Sequence, residues 1–134
     1  MVKNILIRKI LLDNVVSDIL IEGNMISRIS PDITTDAEII IDGTNKAAVP
    51  GFINMHTHAA MTLMRGIGED MVLMDWLYNK IWPTEKKLDD EMVYWGTKLA
   101  CLEMLKTGTT CFNDQYWSLS HAVKATSEMG LRSV

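Results

Sequence analysis

Cysteine is scarce: only Cys101 and Cys111 occur in 134 residues. Two thiols build neither a disulfide framework nor a thiolate zinc site, so a reduced, cytoplasmic protein is expected. Basic residues are outnumbered, 13 Lys and Arg against 17 Asp and Glu, for a net charge of −4. No long basic run is present to track phosphates, and no nucleic-acid partner is expected. No apolar stretch approaches the ~20 residues that span a bilayer, and no membrane partner is expected either. Met1 to Leu12 mixes basic and apolar residues without a small-residue cleavage site, which argues against a signal peptide. Proline occurs only three times. Ten methionines point to adaptable packing rather than redox chemistry.

The first 49 residues have the pattern of β-strands. Asn4–Arg8, Asp18–Glu22 and Met25–Ile29 are short apolar runs, and Gly23-Asn24 between the last two is a hairpin signal. A further run, Ile39–Ile41, ends in the turn-prone Asp42-Gly43-Thr44-Asn45. A small antiparallel β unit is expected, too slight to fold readily alone.

After Pro50-Gly51 the pattern changes. Phe52–His58 is a strand candidate, followed by a helix over about 72–80 that Pro83 should stop. A longer helix begins at Asp89, an N-cap candidate, with Asp90 and Glu91 placed to favour the helix dipole. Its apolar stripe reads Met92, Trp95, Leu99, Leu102 and Leu105, and Gly108 marks its end. Thr109–Asp114 reads as a second strand, Leu119–Met129 as another helix, and Leu131–Val134 as the start of a third strand. Strands alternating with helices imply a parallel sheet. A (β/α)₈ barrel takes ~250 residues, so the stretch from Gly51 onward supplies about two and a half of its eight units. The expected fold is α/β: a small antiparallel β unit, then the first βα units of a truncated TIM barrel.

The chemistry concentrates in Gly51-Phe52-Ile53-Asn54-Met55-His56-Thr57-His58. Strand side chains alternate faces, so His56 and His58 project to one side with Asn54 below them. Two imidazoles so placed can each offer a nitrogen to one metal ion at ~2.0–2.1 Å. Ile53, Met55 and Thr57 face the other way, where helices can cover them. The plain alternative is a pair of surface histidines after a buried strand.

The leader ending Val49-Pro50-Gly51-Phe52-Ile53-Asn54, followed by His56-Thr57-His58, resembles the amidohydrolase superfamily. His58-Ala59-Ala60-Met61-Thr62-Leu63-Met64-Arg65-Gly66, Trp76-Leu77, Trp82-Pro83 and Glu85 narrow the likeness. Together they resemble the 5-methylthioadenosine/S-adenosylhomocysteine deaminases and related chlorohydrolases. The likeness covers essentially the whole chain, but only about the first third of the family's length. Two positions depart from the family pattern. Ala60 stands where Pro is common, which relaxes a loop, and Gln115 stands where Met is frequent, which alters the pocket wall.

The resemblance implies one divalent metal ion, zinc or iron, with His56 and His58 as its first two ligands. It further implies a metal-bound hydroxide attacking the purine carbon that bears the amino group, with ammonia leaving. The remaining ligands and the acid/base glutamate would lie beyond Val134, so no catalytic residue is assigned within the chain. Residues 1–49 become the N-terminal part of a composite β-sandwich domain, and 50–134 the first two to three βα units of an amidohydrolase barrel. Glu85 matches the position that grips the ribose hydroxyls; a solvated charge in the Glu85-Lys86-Lys87 turn is the plain alternative. Trp82, with Trp76, is a candidate wall of the nucleoside site.

Outside these, Arg65 reads as a loop anchor, and Asn113-Asp114 as a source of fold-holding hydrogen bonds. His121 reads as a surface histidine, and Cys101 and Cys111 as core. The expected partner is a purine nucleoside, with oligomer formation left open. Other readings are a hydrolase of guanine, cytosine or a triazine, none of which carries a ribose diol, or an inactive fragment.

Overall fold

The computed structural model describes residues 4–134. The first three residues of the leader read above for a cleavage signal lie outside the described residues. Two compact units are present among those described, one ending at Pro50 and one from Gly51 to Val134.

The first unit is a four-stranded sheet: β1 (Ile5–Leu12), β2 (Val15–Glu22), β3 (Met25–Ser30) and β4 (Ile39–Asp42), in the order β3-β2-β1-β4. β1–β2 and β2–β3 are antiparallel hairpins. Gly23 takes the positive φ that the second hairpin turn requires. The first hairpin turns on Asp13 and Asn14, both left-handed, a conformation these two residues tolerate. β4 pairs with β1 in parallel, so the sheet is mixed rather than wholly antiparallel. The nine residues between β3 and β4 do not form a tight turn, and they return the chain to the far edge in the direction of β1.

Leu6, Leu20 and Ile33 form this unit's core. Beside them lies Asp18, a carboxylate only 3% exposed. A bulge at Lys9, with φ of 56°, turns that residue's N–H onto Asp18 Oδ1 at 2.9 Å. Ile33 N–H reaches Oδ2 at 3.1 Å, and the Arg8 guanidinium stands 3.6 Å away. A buried charge persists because both oxygens find donors.

The second unit is a parallel sheet of β5 (Phe52–Thr57), β6 (Thr109–Asp114) and β7 (Arg132–Ser133) in chain order. A 3₁₀ segment, Ala59–Met64, follows β5. Next comes one continuous helical stretch: α1 (Leu73–Trp76), a π segment (Leu77–Ile81) and α2 (Trp82–Glu85). Pro83 does not stop it. The π register closes when Trp82 N–H bonds Leu77 carbonyl, and Pro83 then falls in the first turn of α2, where no donor is needed.

α3 (Asp90–Thr107) links β5 to β6, and α4 (Leu119–Met129) links β6 to β7. Asp89 caps α3 by accepting Met92 N–H at 2.8 Å, and left-handed Gly108 ends it. The buried face of α3 is not the one expected. Met92, Trp95, Leu99, Leu102 and Leu105 are exposed, whereas Val93, Gly96, Thr97, Ala100 and Cys101 are buried. Small side chains win this face because backbone must approach closely. A Cβ on Gly96 would stand 2.6 Å from the carbonyl oxygen of Ala60. Ala59, Ala100, Cys101, Phe112 and Leu131 complete one core cluster, and Ala60, Val93 and Ala122 another. Ile53 and Met55 are also exposed, because β5 is an edge strand and no described element covers that face.

Candidate functional site

β5 delivers His56 and His58 to the C-terminal edge of the parallel sheet, the end at which barrel enzymes assemble their sites. Alternation along the strand puts both imidazoles on one side. Their centroids are 5.1 Å apart and their planes lie 81° to each other. Below them, Asn54 Oδ1 accepts the His56 backbone N–H at 3.2 Å. His58 Nδ1 lies 2.9 Å from the carbonyl oxygen of Gln115. A carbonyl only accepts, so Nδ1 carries the hydrogen and Nε2 keeps a free lone pair. This is how metal-binding histidines are usually oriented. No group of three His, Cys, Asp or Glu suited to a metal ion forms among the described residues. The two imidazoles fit as part of a zinc ligand set, one short of the three that catalytic zinc sites use.

His58 also lines a cavity of about 350 Å³, together with Trp76, Trp82, Glu85, Tyr116 and Trp117. Glu85, at the end of α2, and Trp82 therefore share a hollow with a histidine far from them in sequence. Trp76 is anchored by its indole N–H, which donates to Ile67 carbonyl at 2.9 Å. His56 is not among the cavity's lining residues.

Tyr116 turns a buried hydroxyl, without a hydrogen-bond partner among the described residues, toward this region. Burial pushes its phenol well above the ordinary range, and the neighbouring Glu85 carboxylate pushes the same way. Asp114 is likewise raised by burial, against the lowering effect of N–H donors from Ala59 and Gln115.

The remaining singled-out residues have structural partners. Arg65 makes a two-point ion pair with Glu103 on α3, at 3.0 and 2.8 Å. Asn113 Nδ2 donates to Met55 carbonyl at 3.2 Å, tying β6 to β5. His121 lies beside Ser118 and Asp90 on the surface. Cys101 is fully buried, and Cys111 partly so.

Sequence reasoning passed over Tyr116 and Trp117 as wall residues. The signal was positional, since both directly follow the C-terminal end of β6, next to the strand that carries the histidines. Neither belongs to a motif whose spacing announces it.

No helix among the described residues is long and apolar enough to cross a membrane. The sequence pattern of the Amidohydrolase family matches residues 47–134. The 5'-deoxyadenosine deaminase of Methanocaldococcus jannaschii is 52% identical over 132 residues, covering 97% of this chain and 31% of that protein. The 5-methylthioadenosine/S-adenosylhomocysteine deaminase 1 of Archaeoglobus fulgidus is 53% identical over 113 residues, covering 84% of this chain and 26% of that protein. The crystal structure of a zinc-bound adenosine deaminase from Xanthomonas campestris superposes with a TM-score of 0.85 at 32% identity. That match covers 97% of this chain and 33% of the other. The chain thus spans about a third or less of the length of the relatives it matches. Since the family's pattern takes in well over half of these residues, including both histidines, the chain belongs to the amidohydrolase family.

Proposed function

We propose that this chain is the N-terminal part of a metal-dependent aminohydrolase that removes the amino group from an adenosine-like nucleoside. The carrying observation is the shared cavity. His58 and Glu85 line one hollow about the size of a small ligand site, walled by Trp76, Trp82 and Trp117. An ionised Glu85 accepts hydrogen bonds from two hydroxyls and so suits a ribose diol. The indoles offer flat apolar faces to a purine. His56 and His58 would hold a divalent ion, zinc foremost, with the missing ligands supplied from outside this segment. When bound, such an ion would acidify water toward neutrality and provide the nucleophile. This chain's own share is to grip the sugar, seat the base and present His58 Nε2 toward the ion. Guanine, cytosine and triazines lack a diol, and they leave Glu85 without a partner.

The test is ammonia release from 5'-deoxyadenosine and 5-methylthioadenosine by the complete gene product carrying this segment, with zinc supplied. Nucleoside turnover is expected there, and none above background from the isolated 134 residues, which lack a third ligand and a proton-moving carboxylate. Turnover of guanine or a triazine with no reaction of either nucleoside would overturn the reading.

A further inference from the structure

We propose that Asp114 is a positioning residue for His58, holding its imidazole with the hydrogen on Nδ1 and the Nε2 lone pair outward. This rests on the reading of His58 as a metal ligand. Two chain segments must be held together for His58 to keep its orientation. One is the end of β5, which carries the ring; the other is the end of β6, which carries the Gln115 carbonyl that receives Nδ1–H at 2.9 Å. A single atom, Asp114 Oδ1, bridges them. It accepts the backbone N–H of Ala59, the residue after His58, at 2.9 Å, and that of Gln115 at 3.1 Å. The same Gln115 N–H reaches back to Thr57 carbonyl at 3.0 Å. The bonds close a ring from His58 through Gln115 and Asp114 to Ala59 and back to His58. Bonds from N–H groups to a carboxylate are stronger than neutral ones, which makes Asp114 the stiffest link in that ring. Its Oδ2 is buried and takes no part.

The experiment reads the tautomer of His58 by long-range ¹H–¹⁵N correlation in the metal-free 134-residue chain, at a pH where imidazole is neutral. Histidine free in water prefers hydrogen on Nε2, so a held Nδ1–H form is recognisable. Wild type is expected to show mainly Nδ1–H at His58. Asp114→Ala should shift the population toward Nε2–H, and Asp114→Asn, whose amide oxygen can take over both N–H bonds, should restore Nδ1–H. A folded Asp114→Ala chain with the wild-type population would overturn the proposal.

Should that variant fail to fold, amide exchange in wild type decides. Ala59 and Gln115 N–H are expected among the slow class, and exchange at loop rates would overturn the proposal. Adding zinc separates this from the ligand reading. An Nε2 signal that ignores zinc while Nδ1–H persists removes His58 as a ligand and supports the positioning role.

Discussion

Gly96 of α3 lies against the backbone of Ala60 so closely that a Cβ there would meet the Ala60 carbonyl oxygen at 2.6 Å. The contact is fastened by Thr62 Oγ1, which donates to Gly96 carbonyl at 2.7 Å. It joins the helix to the segment that follows the histidines. Gly96→Ala pits two effects against each other. Alanine gains about 1 kcal/mol in helix propensity, while overpacking against immobile backbone costs about 1–3 kcal/mol. The clash should win, because the atom struck is a carbonyl and not the end of a flexible side chain. Urea unfolding should show a lowered midpoint; a raised midpoint would show that the 3₁₀ segment yields.

Asp89 offers a simpler case. Its side chain accepts Met92 N–H at 2.8 Å, one of the orphan donors at the start of α3. Asp89→Ala should lower stability by about 1 kcal/mol, and Asp89→Ser should recover most of it. Equal loss in both variants would deny the cap.

Helix ends were readable in advance because they depend on chemistry within a few residues. Asp89 and Gly108 bracket α3 by a local bond and a local φ, whatever else the chain does. Which face of α3 is buried depends on the distance to the backbone it meets, and that information lies in Ala60 as much as in the helix. The large residues Trp95 and Leu99 drew the hydrophobic reading, but close approach selected Gly96 and Ala100. Pro83 misled for a related reason, since its usual cost presumes α register and the turn before it is π. At the site, His56 and His58 were legible through strand alternation. Glu85 entered only by resemblance, and Tyr116 not at all, because the cavity joins them from two distant stretches of chain.

Charge between α3 and α4 supplies a pH test. Lys98 Nζ lies 2.8 Å from Glu128, whose carboxyl is held below the usual range by hydrogen bonds from Lys98 and then Tyr94. A lowered carboxyl contributes stability that is fully present above the ordinary glutamate range and fades as pH falls through its folded value. Both groups are exposed, so the contribution is small and screened by salt. In Lys98→Gln, the Glu128 titration midpoint followed by NMR should rise toward the ordinary value. An unchanged midpoint would assign the lowering to Tyr94 alone.

Glu85→Ala, in the complete protein, should raise the nucleoside KM much more than it disturbs metal content, because Glu85 is on the cavity wall and is no candidate ligand. His58→Ala should do the reverse, lowering bound metal by 10-fold or more (roughly the loss typical when even an outer-shell partner is removed). Metal analysis beside steady-state kinetics separates the two. Parallel loss of both properties in Glu85→Ala would contradict the sugar-binding role.

The π segment Leu77–Ile81 sets the angular phase of everything after it. A π turn holds an extra residue relative to α register, and each helical residue rotates the side-chain direction by about 100°. Trp76 precedes the surplus residue, and Trp82 and Glu85 follow it, yet all three border one cavity. Deleting one residue between 77 and 81 would return the helix to α phase and swing Glu85 about 100° from the wall it shares with Trp76. Insertion and deletion here are therefore rotations in disguise. A change of a single codon, replacing no side chain, is enough to exchange the carboxylate that faces the cavity for a different chemical group.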